Sequence, residues 1–180
     1  MQINNAICNR RSIRKFLDKP IDKYKIKQII EAGIQAPSAN NLQEWRFKFL
    51  NNQEKEKIVT MGGANFIINA PLALIVFYPT SANNYHKGIQ SASACIQNML
   101  IKSFALGIGS CWVCNLPAQR HIKRLLNVPY PYDVIACVLF GYPINKPKYI
   151  KRKYSYSRFF IFKKDGSFLK YWTKKLLSFL

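Results

Sequence analysis

Two short runs, Leu72 to Tyr78 and Val134 to Phe140, are continuously apolar and rich in β-branched and aromatic residues. A strand with one wet face alternates polar and apolar residues; a strand without polar residues is covered on both faces. Both runs therefore read as central strands of a sheet, and the rest of the chain must supply two covering layers. With 180 residues, 49% of them hydrophobic and 14% aromatic, the chain has the material. A chain of this size buries about 70% of its unfolded surface, and disorder is excluded. The longest apolar stretch, Ala70 to Tyr78, is less than half of the ~20 residues that a membrane span needs. Asn4, Asn5 and Asn9 stand where a signal peptide needs an apolar run, so the expected location is cytoplasmic, with the five cysteines as reduced thiols.

The covering layers are legible as helices. Ile3 to Asn9 reads as a short helix. Asp22 is a plausible N-cap for a helix with Ile26, Ile29, Ile30 and Ile34 on one stripe, ending near Ala36 because Pro37 follows. Arg46 to Asn51 alternates with the period of a strand with one buried face, and Gln53 to Met61 is helical up to Gly62-Gly63. Lys87 to Leu106 gives the longest helix, with Ala92, Ile96, Met99, Leu100 and Phe104 on one face and Gly107 ending it. Ser110 to Cys114 reads as a strand and Pro117 to Leu126 as a helix. Strands and helices do not alternate in a strict βαβ rhythm, which favours α+β over a doubly wound sheet.

Charge is lopsided: 28 Lys and Arg against 8 Asp and Glu leave +20. Such a balance points to anionic partners, with codon bias towards lysine as the bland alternative. Arg10-Arg11-Ser12-Ile13-Arg14 concentrates guanidinium forks and a hydroxyl in the manner of a phosphate site, although a solvated basic turn has the same composition. Ala36 to Trp45 combines a helix end, a proline-set turn, three amides and an indole, groups able to read the edge of a heterocycle. Leu106-Gly107-Ile108-Gly109-Ser110-Cys111-Trp112 lacks the third glycine of a dinucleotide fingerprint and follows a helix rather than a strand. The Cys111/Cys114 pair raises thioredoxin-like chemistry or a metal site. A thioredoxin motif precedes a helix in a different fold context, and zinc needs two more ligands from His86 and His121, which read as surface residues, so neither is expected. The eight carboxylates form no convincing acid–base pair.

The order of these pieces is more specific than any one of them. Arg-Arg-Ser-Ile-Arg-Lys-Phe from Arg10 precedes Ala-Pro-Ser-Ala-Asn-Asn-Leu-Gln-Glu-Trp from Ala36. A small-residue helix then leads into Leu-Gly-Ile-Gly-Ser-Cys-Trp, and Gly141-Tyr142-Pro143 is followed by Lys151-Arg152-Lys153. From Ile7 to Lys153 the chain resembles the nitroreductase family of FMN-dependent oxidoreductases.

The resemblance implies an α+β fold, a mainly antiparallel sheet flanked by helices in an interlocked homodimer with FMN at the interface. By the same likeness Arg10, Arg11, Ser12 and Arg14 hold the phosphate, ribityl chain and pyrimidine edge. Pro37, Ser38, Ala39 and Asn41 reach the flavin from the partner subunit, with Gln43 close by. Trp112, Val113, Cys114 and Asn115 lie along the ring, with a backbone N–H directed at N5, and Arg152 and Lys153 complete the phosphate site. The implied reaction passes a hydride from NADH or NADPH through flavin N5 to a nitroaromatic, a quinone or a similar flat electrophile, in a ping-pong cycle that needs no nucleophilic or basic side chain. Glu44 departs from the family's usual proline, and Cys114 from its usual small residue. Residues 1–153 are thus expected to form the FMN-binding domain.

Residues 154–180 form a basic aromatic extension in which Phe168, Trp172, Leu176 and Phe179 fall at helical spacing, expected to dock on the dimer rather than on an anionic membrane surface. Nucleic acid is not an expected partner, because the basic residues are not interleaved with a known reader motif. A nucleic-acid-binding module and a non-catalytic flavin-binding protein are the alternatives.

Overall fold

The two apolar runs pair with each other at the middle of an antiparallel sheet in the computed structural model, which describes residues 3–79 and 85–145. In chain order the helices are α1 (Ile3–Asn9), α2 (Lys23–Ile34), α3 (Asn52–Thr60), α4 (Tyr85–Ala105) and α5 (Gln119–Leu126). The strands are β1 (Arg46–Phe49), β2 (Leu72–Pro79), β3 (Gly109–Val113) and β4 (Tyr132–Gly141), in the spatial order β1-β2-β4-β3. Every paired strand is antiparallel to its neighbour, so the expected α+β class holds.

The runs 72–78 of β2 and 134–140 of β4 are apolar throughout because a core lies on each side. Leu74 and Val76 of β2, with Ala136, Val138 and Phe140 of β4, face Ile29 of α2 and Ala92, Ile96, Met99 and Leu100 of α4. The intervening Ala73, Ile75, Phe77, Cys137 and Leu139 face Ile58 of α3 and Ile122 and Leu126 of α5. Val76 is paired with Ala136 but Phe77 with Val134, so Ile135 is the extra residue of a bulge.

Helix ends follow local chemistry. The Asp22 carboxylate accepts from the Tyr24 N–H at 2.6 Å and starts α2. Asn51 and Glu54 form a reciprocal capping box on α3. Gly107 takes φ +74 just after α4.

Two packing expectations fail in detail. Ile34 is 41% exposed, because the face of α2 that meets α4 carries Gly33, where a Cβ would stand 2.5 Å from Met99 Cε. Phe49 is 45% exposed, because β1 is the sheet's edge and no further described strand covers its outer side. No helix among the described residues is long and apolar enough to cross a membrane. Arg152, Lys153 and the extension 154–180 lie outside the described residues.

Candidate functional site

The basic N-terminal segment is laid along the outer edge of β3. Ser12 bridges Ser110 in parallel, and the Ile13 N–H donates to the Ser110 carbonyl at 2.9 Å. Gly109 makes this approach feasible, since a Cβ there would stand 2.9 Å from Ile13 Cγ1. Behind the strand, the Ser103 hydroxyl of α4 donates to Ser110 Oγ at 2.9 Å and ties β3 to the helix. Because the Ser110 carbonyl points away from β4, the two-residue period of the strand turns the Trp112 peptide groups to the same outer edge.

Arg10, Ser12 and Arg14 converge on Cys111. Burial pushes the Cys111 thiol up, against the pull of the Arg14 charge, the Ser12 hydroxyl and the Arg10 charge. The Arg14 guanidinium is exposed and stacks over the Phe66 ring, 5.4 Å from its centroid. Arg11 is partly committed to its own backbone, donating to the carbonyls of Cys8 and Arg10, each at 2.8 Å. Trp112 Nε1 is buried without a hydrogen-bond partner among the described residues. A buried indole N–H is rarely left unpaired, so this donor marks a place where an acceptor belongs.

Val113 lies within the Trp112–Asn115 stretch, at the end of β3. Its side chain is 3% exposed and faces the α3/α5 core, so only its backbone is left for a ligand. Cys114 and Asn115 are exposed, and the Asn115 carbonyl accepts from the Ala64 N–H at 3.1 Å. Cys111 and Cys114 are both free thiols, Cys111 buried and Cys114 exposed.

The second candidate segment is built on α4. The Ala39 N–H donates to Ser91 Oγ at 3.1 Å, and the buried Trp45 indole donates to the Ser91 carbonyl at 3.1 Å. Within the loop the Gln43 N–H donates to Ser38 Oγ, and Gln43 Nε2 donates to Asn41 Oδ1. Asn40, Asn41 and Gln43 all take left-handed φ, between 52° and 55°. Asparagine tolerates that region; glutamine does so at a cost. Pro37 is exposed at the loop's entry.

One chain does not bring the two segments together. The first is bonded to β3 next to Ser103, and the second rests on Ser91, both residues of α4. Twelve residues of helix at 1.5 Å each separate the anchors by about 18 Å. Phe66, Ser91 and Ile13 carry these arrangements without any signal in the sequence beyond the glycine at 109.

Fold and site define an α+β protein whose cationic segment lines a sheet edge, with a second polar loop displaced along the central helix. The chain belongs to the nitroreductase family, whose family model matches residues 7–61 and 58–142. A candidate NADH dehydrogenase/NAD(P)H nitroreductase of Archaeoglobus fulgidus is 33% identical over 144 residues, 76% of this chain and 83% of that protein. A candidate protein of the same description from Parabacteroides distasonis has a crystal structure that superposes with a TM-score of 0.79 at 26% identity, covering 91% of this chain and 98% of that one. An FMN-dependent nitroreductase of Clostridium difficile is similar at 29% identity and a TM-score of 0.70, over 86% of this chain and 93% of that one.

Proposed function

We propose that this chain is an FMN-dependent oxidoreductase that uses NADH or NADPH to reduce a flat electrophile such as a nitroaromatic or a quinone, and that it works as a homodimer. What carries the reading is the Arg10–Arg14 segment bonded to the β3 edge, two residues from an indole N–H with no partner among the described residues. The donor set fits FMN. Guanidiniums and a hydroxyl suit its phosphate and ribityl chain, and backbone N–H groups with an unsatisfied indole donor suit the edge of its ring.

Arg10, Arg11, Ser12 and Arg14 would hold the cofactor from this side, joined by Arg152 and Lys153 at the phosphate. Trp112, Cys114 and Asn115 would lie along the ring, with Val113 contributing backbone alone. Pro37, Ser38, Ala39 and Asn41, with Gln43, would come from a second copy of the chain, because their own loop stands about 18 Å along α4 from the β3 anchor. When bound, FMN supplies a two-electron carrier between the reduced nicotinamide and the acceptor. Arg14 would hold a positive charge beside the bound cofactor and so would favour its more negative reduced form. The donor and the acceptor take turns in one pocket, which gives ping-pong kinetics. Residues 1–153 are read as the FMN-binding domain and 154–180 as a distinct basic extension.

Arg14→Ala and Arg152→Ala test the assignment. Losing a charged hydrogen-bonding group at Arg14 weakens FMN binding by roughly ten- to a hundredfold and slows reduction by NAD(P)H, whereas Arg152→Ala costs affinity alone. Full FMN occupancy with wild-type turnover in both variants contradicts the site. Sedimentation of an FMN-loaded monomer at micromolar concentration contradicts the dimer.

A further inference from the structure

Arg14 carries the charge that the proposed chemistry needs, yet its side chain is long, exposed and without an ion pair among the described residues. Its ordering contact is the face of Phe66, 5.4 Å from guanidinium carbon to ring centroid. Phe66 lies on a single 3-10 turn, Asn65–Ile67, and that turn is fastened at both ends. In front of it, the Ala64 N–H donates to the Asn115 carbonyl at 3.1 Å, at the far end of the stretch assigned to the flavin ring. Behind it, the ammonium of Lys55, a residue only 5% exposed, donates to the carbonyls of Ala70 at 2.9 Å and Ile68 at 3.4 Å. Ile67, fully buried, pins the middle into the α3/α5 core. The approach to the turn is tight as well, since a Cβ on Gly63 would stand 2.7 Å from the Ile58 carbonyl oxygen.

We infer that Phe66 is a positioning residue for the flavin: its ring holds the Arg14 guanidinium in place and thereby sets both the affinity for FMN and the reduction potential of the bound cofactor. The inference rests on the functional reading given above. A guanidinium held over an aromatic face by cation–π attraction has fewer rotamers open to it, while an aliphatic side chain at 66 leaves it to sample many. The held charge favours the reduced cofactor, which is more negative than the oxidised form, so losing the ring lowers the potential. Asn115 and Arg14 are then coupled through one turn, although a hundred residues of chain lie between them.

Phe66→Leu and Phe66→Met remove the aromatic face while keeping apolar volume, and Phe66→Trp retains it. FMN dissociation constants by flavin fluorescence and two-electron midpoint potentials by dye equilibration are the readouts. Phe66→Leu and Phe66→Met should bind FMN about tenfold more weakly. Each tenfold loss of preference for reduced over oxidised flavin lowers the midpoint by about 30 mV. Phe66→Trp should stay close to wild type in both. With Arg14→Ala already present, Phe66→Leu should leave the potential where Arg14→Ala put it, because the ring acts through that side chain. A wild-type potential in both the Leu and Met variants overturns the inference, as does an equal shift on the Arg14→Ala background or a Trp variant as impaired as the Leu variant. A wild-type chain that binds no FMN overturns the functional reading instead.

Discussion

Gly109→Ala should dislodge the Arg10–Arg14 segment from the sheet. An ideal Cβ at Gly109 stands 2.9 Å from Ile13 Cγ1, 3.0 Å from Ile13 Cβ and 3.1 Å from Ile13 Cγ2. These atoms are the branch point of a β-branched side chain, so no rotamer change clears the contact. Ile13 must retreat from β3, and the 2.9 Å hydrogen bond from its N–H to the Ser110 carbonyl must lengthen. Overpacking of this kind costs about 1–3 kcal/mol and a weakened backbone hydrogen bond adds up to about 1 kcal/mol. We expect a loss of about 2–3 kcal/mol, or roughly 4–12 °C in Tm for a chain of this length. Ser12 and Arg14 flank Ile13, so the same displacement should weaken FMN binding by about tenfold or more, each tenfold being 1.4 kcal/mol. Urea unfolding of the apo-protein and FMN fluorescence titration read the two effects separately. Gly62→Ala is the contrast: it carries the strain of φ +99 but meets nothing within 4 Å, so stability falls and FMN affinity does not. Adding Ile13→Ala to Gly109→Ala opens space and should recover part of the affinity. A Gly109→Ala protein with the wild-type urea midpoint and FMN affinity refutes the reasoning.

Two further outcomes follow from buried groups. Ser91→Ala leaves the Ala39 N–H without its acceptor, so stability should fall by about 1–3 kcal/mol, and FMN binding should weaken only if the loop of one copy serves the site of another; unchanged affinity in an intact dimer separates the loop from the cofactor. Burial pushes the thiols of Cys95 and Cys137 from the ordinary 9.0 up to about 12. The folded state therefore holds these protons more tightly than the unfolded one. Their contribution is complete below pH 9 and is lost as the pH rises towards 12, at about 1.4 kcal/mol per pH unit per thiol. Cys137→Val should flatten the fall measured by urea unfolding between pH 9 and 11, and a variant that loses stability as steeply as wild type contradicts the assignment.

The elements of the fold were legible because each carries its own local signal. Asp22 caps α2, Gly107 ends α4, and the unbroken apolar runs 72–78 of β2 and 134–140 of β4 reflect a core on both of their faces. What no local pattern encodes is which distant residues meet. The order β1-β2-β4-β3 pairs strands sixty residues apart, and periodicity is silent about that. Ile34 and Ile29 look equivalent on a helical stripe, yet Gly33 decides where α2 touches α4 and leaves Ile34 outside. The motif residues Arg10 to Arg14 and Trp112 to Asn115 were identifiable from their order along the chain, and the structure lays the first beside the strand that carries the second. Phe66 was not identifiable: a single phenylalanine in an irregular stretch gives no hint of the guanidinium above it. Strand alternation sends the Val113 side chain to one core while Trp112 faces the other layer, a division that the motif alone does not show.

The central claim is that this chain passes electrons from a reduced nicotinamide to a flat acceptor by way of bound FMN. Anaerobic titration of the FMN-loaded protein with NADH, and separately with NADPH, tests it most directly when flavin absorbance is followed and a quinone is added at the end. At least one of the two nicotinamides should bleach the oxidised-flavin absorbance with one equivalent per FMN, and the quinone should restore it without a ternary complex. Tightly bound FMN whose absorbance neither nicotinamide changes would contradict it.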